Sequence, residues 1–177
     1  SGTDLPSGIS VNDLVQRHKL LLAETDSWSE TALIDLAISR QASLGGRAIW
    51  DADWLQALFV TRCAPGAPGL CGIPGGVMDI PPLAPHGAAV FLGNRFSVQA
   101  VLTAGKVQTV GLESVERMNL HQLHIMEVSE GTVLADGERV RELHNEKVRI
   151  TLHPEGPWVL DFEATLAAGL QHGYFQI

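Results

Sequence analysis

The 177-residue chain is short of cysteine, of basic residues and of long apolar runs, and each shortage excludes a class of protein. Two cysteines are too few for a disulfide-stapled scaffold. Twelve basic against 20 acidic residues give a net charge of −8, which argues against a nucleic-acid partner because such partners require a basic surface. No apolar run approaches the roughly 18 residues of a membrane helix, so we expect no membrane partner.

The residues that are present favour a folded domain. Apolar residues make up 45% of the chain, which is too many for a disordered protein. The length favours a single domain over residues 1–177. Residues 1–8 have neither the basic stretch nor the apolar stretch of an intact signal peptide. We therefore expect a soluble, acidic domain, and the sequence assigns it no compartment.

Residues 1–61 are predicted to be mainly helical. Ser10 and Asp13 have the spacing of a capping box, and so do Ser27 and Glu30. Apolar residues at helical spacing follow each box. The predicted helices cover about residues 10–24, the segment from Ser27 to the Gly45-Gly46 pair, and Asp51 to about Val60.

Residues 62–87 are rich in proline and glycine and are predicted to form an irregular loop. Beyond it, residues 88–177 mainly show the alternation of apolar and polar residues that is typical of strands. The Gly93-Asn94 and Asp136-Gly137 pairs predict hairpin turns. A short helix over 163–170 and a last strand at Tyr174–Ile177 are expected at the end.

These segments predict an α+β fold, because helices and strands are segregated along the chain. The predicted architecture is a helical N-terminal part followed by an antiparallel β-sheet or partly closed barrel.

Cys63 and Cys71 flank the proline- and glycine-rich loop, eight residues apart. Turns in the loop could bring them within disulfide distance. They could also be two buried, inert thiols. A third interpretation makes Cys71 a reactive nucleophile, since a thiol with a nearby base can attack a carbonyl carbon.

The base for a reactive Cys71 would be His86, which lies 15 residues later, before a predicted strand. Backbone N–H groups of the glycine-rich turn could stabilise an oxyanion. A cysteine in a tight turn followed by a histidine at the next strand faintly resembles the cytotoxic-necrotizing-factor type of glutamine deamidases. That family has a Ser-Gly-Cys triplet, whereas Leu70 precedes the cysteine here. The resemblance implies His86 as base and Cys71 as nucleophile acting on a side-chain amide.

Two further groups of residues could carry out chemistry. A papain-like layout would use His153 as base and Asp161 as its orienting carboxylate, but it requires a cysteine at a helix start, and we predict neither cysteine to lie at one. His121, His124 and Glu127 are spaced to share a helix face and bind zinc. On a strand, the two histidines would point to opposite faces and the zinc hypothesis would fail.

The chain lacks a P-loop, a Gly-x-Ser-x-Gly motif and a dinucleotide fingerprint, so we expect no cofactor. The absence of common enzyme motifs favours a protein-interaction or regulatory domain without catalytic activity, whose partner is another protein or a second copy of itself. The alternative is a cysteine-dependent hydrolase or glutamine deamidase acting on a protein, with Cys71 as nucleophile and His86 as base.

Overall fold

The apolar segments of this chain are short, and most of them pair as strands. A computed structural model describes residues 10–41, 52–103 and 105–174. One sheet holds eight antiparallel strands, and two further strands form a separate ribbon. The predicted α+β class with a helical N-terminal part is therefore wrong, whereas an antiparallel sheet is present.

The elements have the following bounds. The strands are β1 Val15–Arg17, β2 Leu20–Glu24, β3 Ser29–Ala32, β4 Asp35–Ser39, β5 Leu55–Val60, β6 His86–Thr103, β7 Lys106–Asn119, β8 His124–Ala135, β9 Glu138–His153 and β10 Trp158–Leu160. The α-helices are α1 Gly72–Gly75 and α2 Phe162–Gln171, and 3₁₀ turns lie at Val11–Asp13 and Ala52–Trp54. The order in the large sheet is β3-β2-β9-β8-β4-β5-β6-β7, and β1 pairs with β10.

The central strands are buried on both faces of the sheet. In β4, Leu36 and Ile38 belong to one core cluster, whereas Ala37 belongs to another. In β5, Phe59 belongs to the first cluster and Leu58 to the second. Strands covered on both sides have nearly continuous apolar sequences instead of an alternating pattern.

The predicted N-terminal helices fail because their segments bury residues with the period of a strand. The first capping box does form: the Ser10 hydroxyl accepts from the Asn12 N–H, and the Asp13 carboxylate accepts from the Ser10 N–H. It begins only a three-residue 3₁₀ turn. In β2, buried Leu21 and Ala23 alternate with more exposed neighbours, as in a strand.

The other two predicted helices are replaced in a similar way. Ser27 lies in the turn between β2 and β3, where the Thr25 N–H donates to the Trp28 carbonyl at 2.8 Å. The segment from Asp51 to Val60 contains a 3₁₀ turn and then β5. Gly45, Gly46 and Asp51 themselves lie outside the described residues.

More of the predictions for the second half of the chain are confirmed. The Asp136-Gly137 hairpin is confirmed, and both residues have the positive φ that a tight two-residue turn requires, 50° and 80°. The helix expected over 163–170 corresponds to α2. The Gly93-Asn94 turn is wrong, because this pair lies inside β6 at a bulge opposite Leu112. The expected last strand largely lies outside the described residues, and Tyr174 is in a turn.

Within the described part of the chain, no helix has the length and apolar character needed to cross a bilayer.

Gly156 fixes the connection between β9 and β10. Its N–H donates to the His18 carbonyl at 2.9 Å, and the His18 N–H donates to the Pro157 carbonyl at 3.0 Å. A Cβ atom on residue 156 would lie 2.4 Å from the same His18 oxygen. Only glycine therefore permits this close approach of two backbones.

We predict that Gly156→Ala lowers the free energy of unfolding by about 1–3 kcal/mol, because the added methyl group forces the two backbones apart. Urea unfolding measures the change. Ser129→Ala, at an exposed strand position, serves as the control and should stay within about 0.5 kcal/mol of the parent. An unchanged Gly156→Ala protein would contradict the close approach.

Candidate functional site

The proline- and glycine-rich loop folds tightly around α1. The expectation that neither cysteine lies at a helix start is wrong for Cys71, which is the N-cap residue of the four-residue helix α1. Its side chain makes no capping hydrogen bond. A Cβ atom on Gly72 would lie 2.2 Å from the Ala67 carbonyl oxygen, and one on Gly75 would lie 2.1 Å from that of Ala64. The glycines are thus required by close packing of the loop on itself.

Both cysteines are free thiols, so the interpretation as a disulfide does not hold in this structure. Cys63 is buried, and its Sγ atom donates to the Met78 carbonyl oxygen at 3.4 Å. Burial raises the pKa of Cys63 to about 11. Burial also raises the pKa of Cys71, to about 12, and the negative charge of Asp35 adds to the effect while Arg62 opposes it. These surroundings favour the neutral thiol, whereas a nucleophile is used as the thiolate.

His86 begins β6 and is half-buried. Its Nε2 atom lies 3.0 Å from Nη2 of Arg117, and because a guanidinium only donates, Nε2 is the acceptor. Burial lowers the pKa of His86, as do the charges of Arg117 and Lys19. No hydrogen bond joins Cys71 to His86, although the structure describes both residues. The assignment of Cys71 and His86 as catalytic residues stays a prediction, and their contacts do not add to it.

The histidines of the zinc hypothesis have other contacts. His121 lies in the β7–β8 turn with φ 59°, and its ring stacks edge-on against that of His153, with centroids 5.1 Å apart. The His124 ring packs 5.5 Å from that of Phe59 and 6.5 Å from that of Phe91. Across residues 10–41, 52–103 and 105–174, no group of three His, Cys, Asp or Glu side chains could hold a metal ion. Asp161, the second papain-like residue, caps α2 instead.

Asp35 and Asp136 form an acidic pair, although they lie about a hundred residues apart in the sequence. The Asp136 carboxylate accepts from three N–H groups in the β3–β4 turn: Leu33 and Ile34 at 2.7 Å and Asp35 at 3.2 Å. The side chain of Asp35 is largely buried, and its Oδ1 atom has no hydrogen-bond partner among the described residues. Burial raises the pKa of Asp35 to about 6, and the Asp136 charge adds to the effect. One carboxylate therefore stabilises a turn, while the other carries an uncompensated charge.

A model of the family "Acetoin catabolism protein X C-terminal domain" matches residues 19–155. The chain belongs to this family. The matched range contains all eight strands of the large sheet, from β2 to β9. Acetoin catabolism protein X of Cupriavidus necator is 30% identical over 149 residues, which are 81% of this chain and 42% of the relative. The chain therefore spans less than half the length of that curated relative.

In this member of the acetoin catabolism protein X C-terminal domain family, β1, β10 and α2 lie outside the matched range. None of the ten residues of α2 is buried. Phe162, Leu166 and Leu170 recur every four residues and so share one face of the helix. Phe162 is 68% exposed and Leu170 is 66% exposed.

The strand before this helix is exposed as well. Trp158, at the start of β10, is 64% exposed, and Leu160 also faces solvent. The Arg17 guanidinium lies 5.8 Å from the centre of the Trp158 ring, which is a cation–π distance. We call residues 158–174 the C-terminal apolar segment, because its six most exposed large side chains are Trp158, Leu160, Phe162, Leu166, Leu170 and Tyr174. The sequence predicted the helix but not its exposure.

We predict that Cys71 reacts with iodoacetamide slowly at pH 7 and that the rate rises only in strongly alkaline solution, because its raised pKa keeps the thiol protonated. Mass spectrometry of the alkylated peptide measures the rate. His86→Ala should leave the rate unchanged. Fast alkylation below pH 8 that disappears in His86→Ala would instead support the hydrolase hypothesis.

We predict opposite effects of two matched substitutions at the acidic pair. Asp35→Asn should raise the free energy of unfolding at pH 7 by roughly 1–2 kcal/mol, because it removes a buried charge. The Asp35 pKa is higher in the folded than in the unfolded chain, so the charge destabilises the fold as the pH rises from about 4 to 6. The gain should therefore disappear near pH 4.

Asp136→Asn should lower the free energy of unfolding by about 1–3 kcal/mol at pH 7, because three N–H groups lose a charged acceptor. Asparagine tolerates the positive φ of this position. Chemical denaturation at pH 4 and 7 measures both variants. Equal losses of stability in the two variants would show that Asp35 is as well compensated as Asp136.

Proposed function

We propose that this chain is a non-catalytic binding domain of an acetoin catabolism protein X, and that its C-terminal apolar segment docks on another protein module. The observation that carries the proposal is an entire helix with no buried residue and an apolar stripe that faces solvent. Monomeric proteins rarely leave large apolar side chains clustered in solvent unless a partner covers them. Tryptophan and other aromatic side chains of this kind commonly supply most of the energy of a protein interface.

The segment is anchored at one end, which would let it present the stripe in a fixed direction. The Asp161 Oδ1 atom accepts from the Ala164 N–H at 2.9 Å and so caps α2. The Asp161 N–H donates to the Leu14 carbonyl at 2.7 Å, and its other carboxylate oxygen accepts from the Gln16 side chain. Asp161 thus ties the start of the helix to Leu14 and β1, whereas none of the residues of α2 is buried.

We propose that the partner is the part of an acetoin catabolism protein X that lies outside this domain. The curated relative is more than twice as long as the region that the chain matches, so it has such a part. A second copy of this chain is the less favoured partner, because two domains that each carry a charge of −8 repel one another. Docking of this kind would make the domain a structural or regulatory partner of the remaining protein.

We predict that the separately produced remainder of the Cupriavidus necator protein binds this chain, and that Phe162→Asp or Leu170→Asp weakens binding at least tenfold. An aspartate in the apolar stripe would place a carboxylate in the interface, where it loses its hydration and gains no partner. Calorimetric titration measures the affinity. Neither substitution should lower the thermal midpoint, because both side chains are exposed.

Val107→Asp is the matched control, since Val107 is similarly exposed but lies on β7, an edge strand of the large sheet, and not in the C-terminal apolar segment. It should leave the affinity unchanged. Light scattering of the chain alone checks for self-association. A dimer that Leu170→Asp dissociates would assign the segment to a second copy, and a monomer that binds nothing would contradict the docking proposal.

A further inference from the structure

A cavity of about 140 Å³ lies where the start of β2, the β3–β4 turn and the end of β5 meet the 156–159 segment. Three of the residues that line it have basic side chains, namely His18, Lys19 and Arg62. Its other walls are apolar and include Leu33 and Val159. Among the described residues, no acidic one lines it, although the chain as a whole is acidic.

Lys19 is the most informative of these residues, because its side chain is buried and forms no ion pair with any residue that the structure describes. Lys19 is only 6% exposed. Its Nζ atom donates to the Ala84 carbonyl oxygen at 2.5 Å, and no carboxylate of the described residues pairs with it. An ammonium group has three donors, so two remain for another acceptor. Burial lowers the Lys19 pKa to about 8, which reflects the cost of the unbalanced charge.

The positions of Arg62 and His18 are fixed by backbone hydrogen bonds of their neighbours. Thr61 precedes Arg62, and its N–H and hydroxyl donate to the Ile34 and Leu33 carbonyls, both at 2.9 Å. The His18 backbone is held by hydrogen bonds to Gly156 and Pro157. Burial lowers the pKa of His18, and so do the charges of Arg62 and Lys19. Arg62 and Lys19 therefore lie close enough to His18 to disfavour its charged form, and both cationic residues line the same cavity.

We propose that this cavity binds a small aliphatic carboxylate, with its charged end on Arg62 and Lys19 and its apolar body against Leu33 and Val159. A guanidinium matches the planar carboxylate with two parallel hydrogen bonds, and a buried ammonium supplies a further donor. The volume corresponds to about five water molecules, which suits an acid of a few carbon atoms. A phosphate ion is a poorer fit, because its additional oxygen atoms would find no hydrogen-bond donors on the apolar walls.

The experiment is a calorimetric and NMR titration of the chain with sodium butyrate. The comparison ligands are acetate, inorganic phosphate, chloride and the neutral isostere butyramide. We expect saturable binding of butyrate that is tighter than that of phosphate or chloride, and no binding of butyramide. No saturable binding of butyrate, or equal binding of phosphate or chloride, would overturn the proposal.

Arg62→Gln should weaken butyrate binding tenfold or more, because it removes a charge-assisted pair of hydrogen bonds. Arg95→Gln is the control: it removes the same charge from an exposed arginine that does not line the cavity and should change the affinity less than twofold. Equal weakening by both variants would indicate an unspecific effect of net charge and overturn the site.

Lys19→Met gives a second test that does not depend on the folding of the Arg62 variant. Methionine keeps an unbranched side chain in the buried position but removes the ammonium group. We expect butyrate binding to be lost while the thermal midpoint stays the same or rises, because the unpaired buried charge is removed. Retained affinity for butyrate in Lys19→Met would overturn the assignment of Lys19 to the ligand.

Discussion

Strand β4 joins the two halves of the large sheet, and the rest of the structure depends on its pairing. It is hydrogen-bonded to β5 on one side and to β8 on the other. Residues 36–39 pair with 132–135, nearly a hundred residues later in the chain. Such a pairing closes a long loop, so it forms at an entropic cost that must be offset by burial. Leu36 and Ile38 on one face and Ala37 on the other supply that burial.

The same double burial explains which elements the sequence could predict. The Asp136-Gly137 turn and the helix over 163–170 depend on local chemistry, and both are present. The short apolar runs of β4 and β5 do not alternate, because both faces are covered, and a short run of that kind resembles a buried helix. The Ser10 capping box shows the limit of local signals: the box forms, but it determines only where a helical turn begins and not how far it extends.

The candidate functional residues likewise separate into features that the sequence predicts and features that depend on tertiary structure. Residue types and spacing suggested Cys71 and His86, but the surroundings that set the reactivity of Cys71 come from distant segments. Asp35, whose charge acts on Cys71, lies on β4 opposite Val60 of β5. The burial of Lys19 also could not be predicted from the sequence, since a lysine between two short strands is usually solvent-exposed. Exposure of the C-terminal apolar segment is a property of the folded chain and not of any motif.

The large sheet coincides with the region that matches the acetoin catabolism protein X C-terminal domain family, and the C-terminal apolar segment lies beyond it. Amide hydrogen exchange of the free chain tests most directly whether this segment is a binding element attached to an independently stable sheet. We expect the amides of β4, β5 and β8 to exchange slowest and those of α2 to exchange much faster, because α2 has no buried residue. Protection of α2 equal to that of β4 in the free chain would show that the helix is already part of the core, and would contradict its role as an unpartnered docking element.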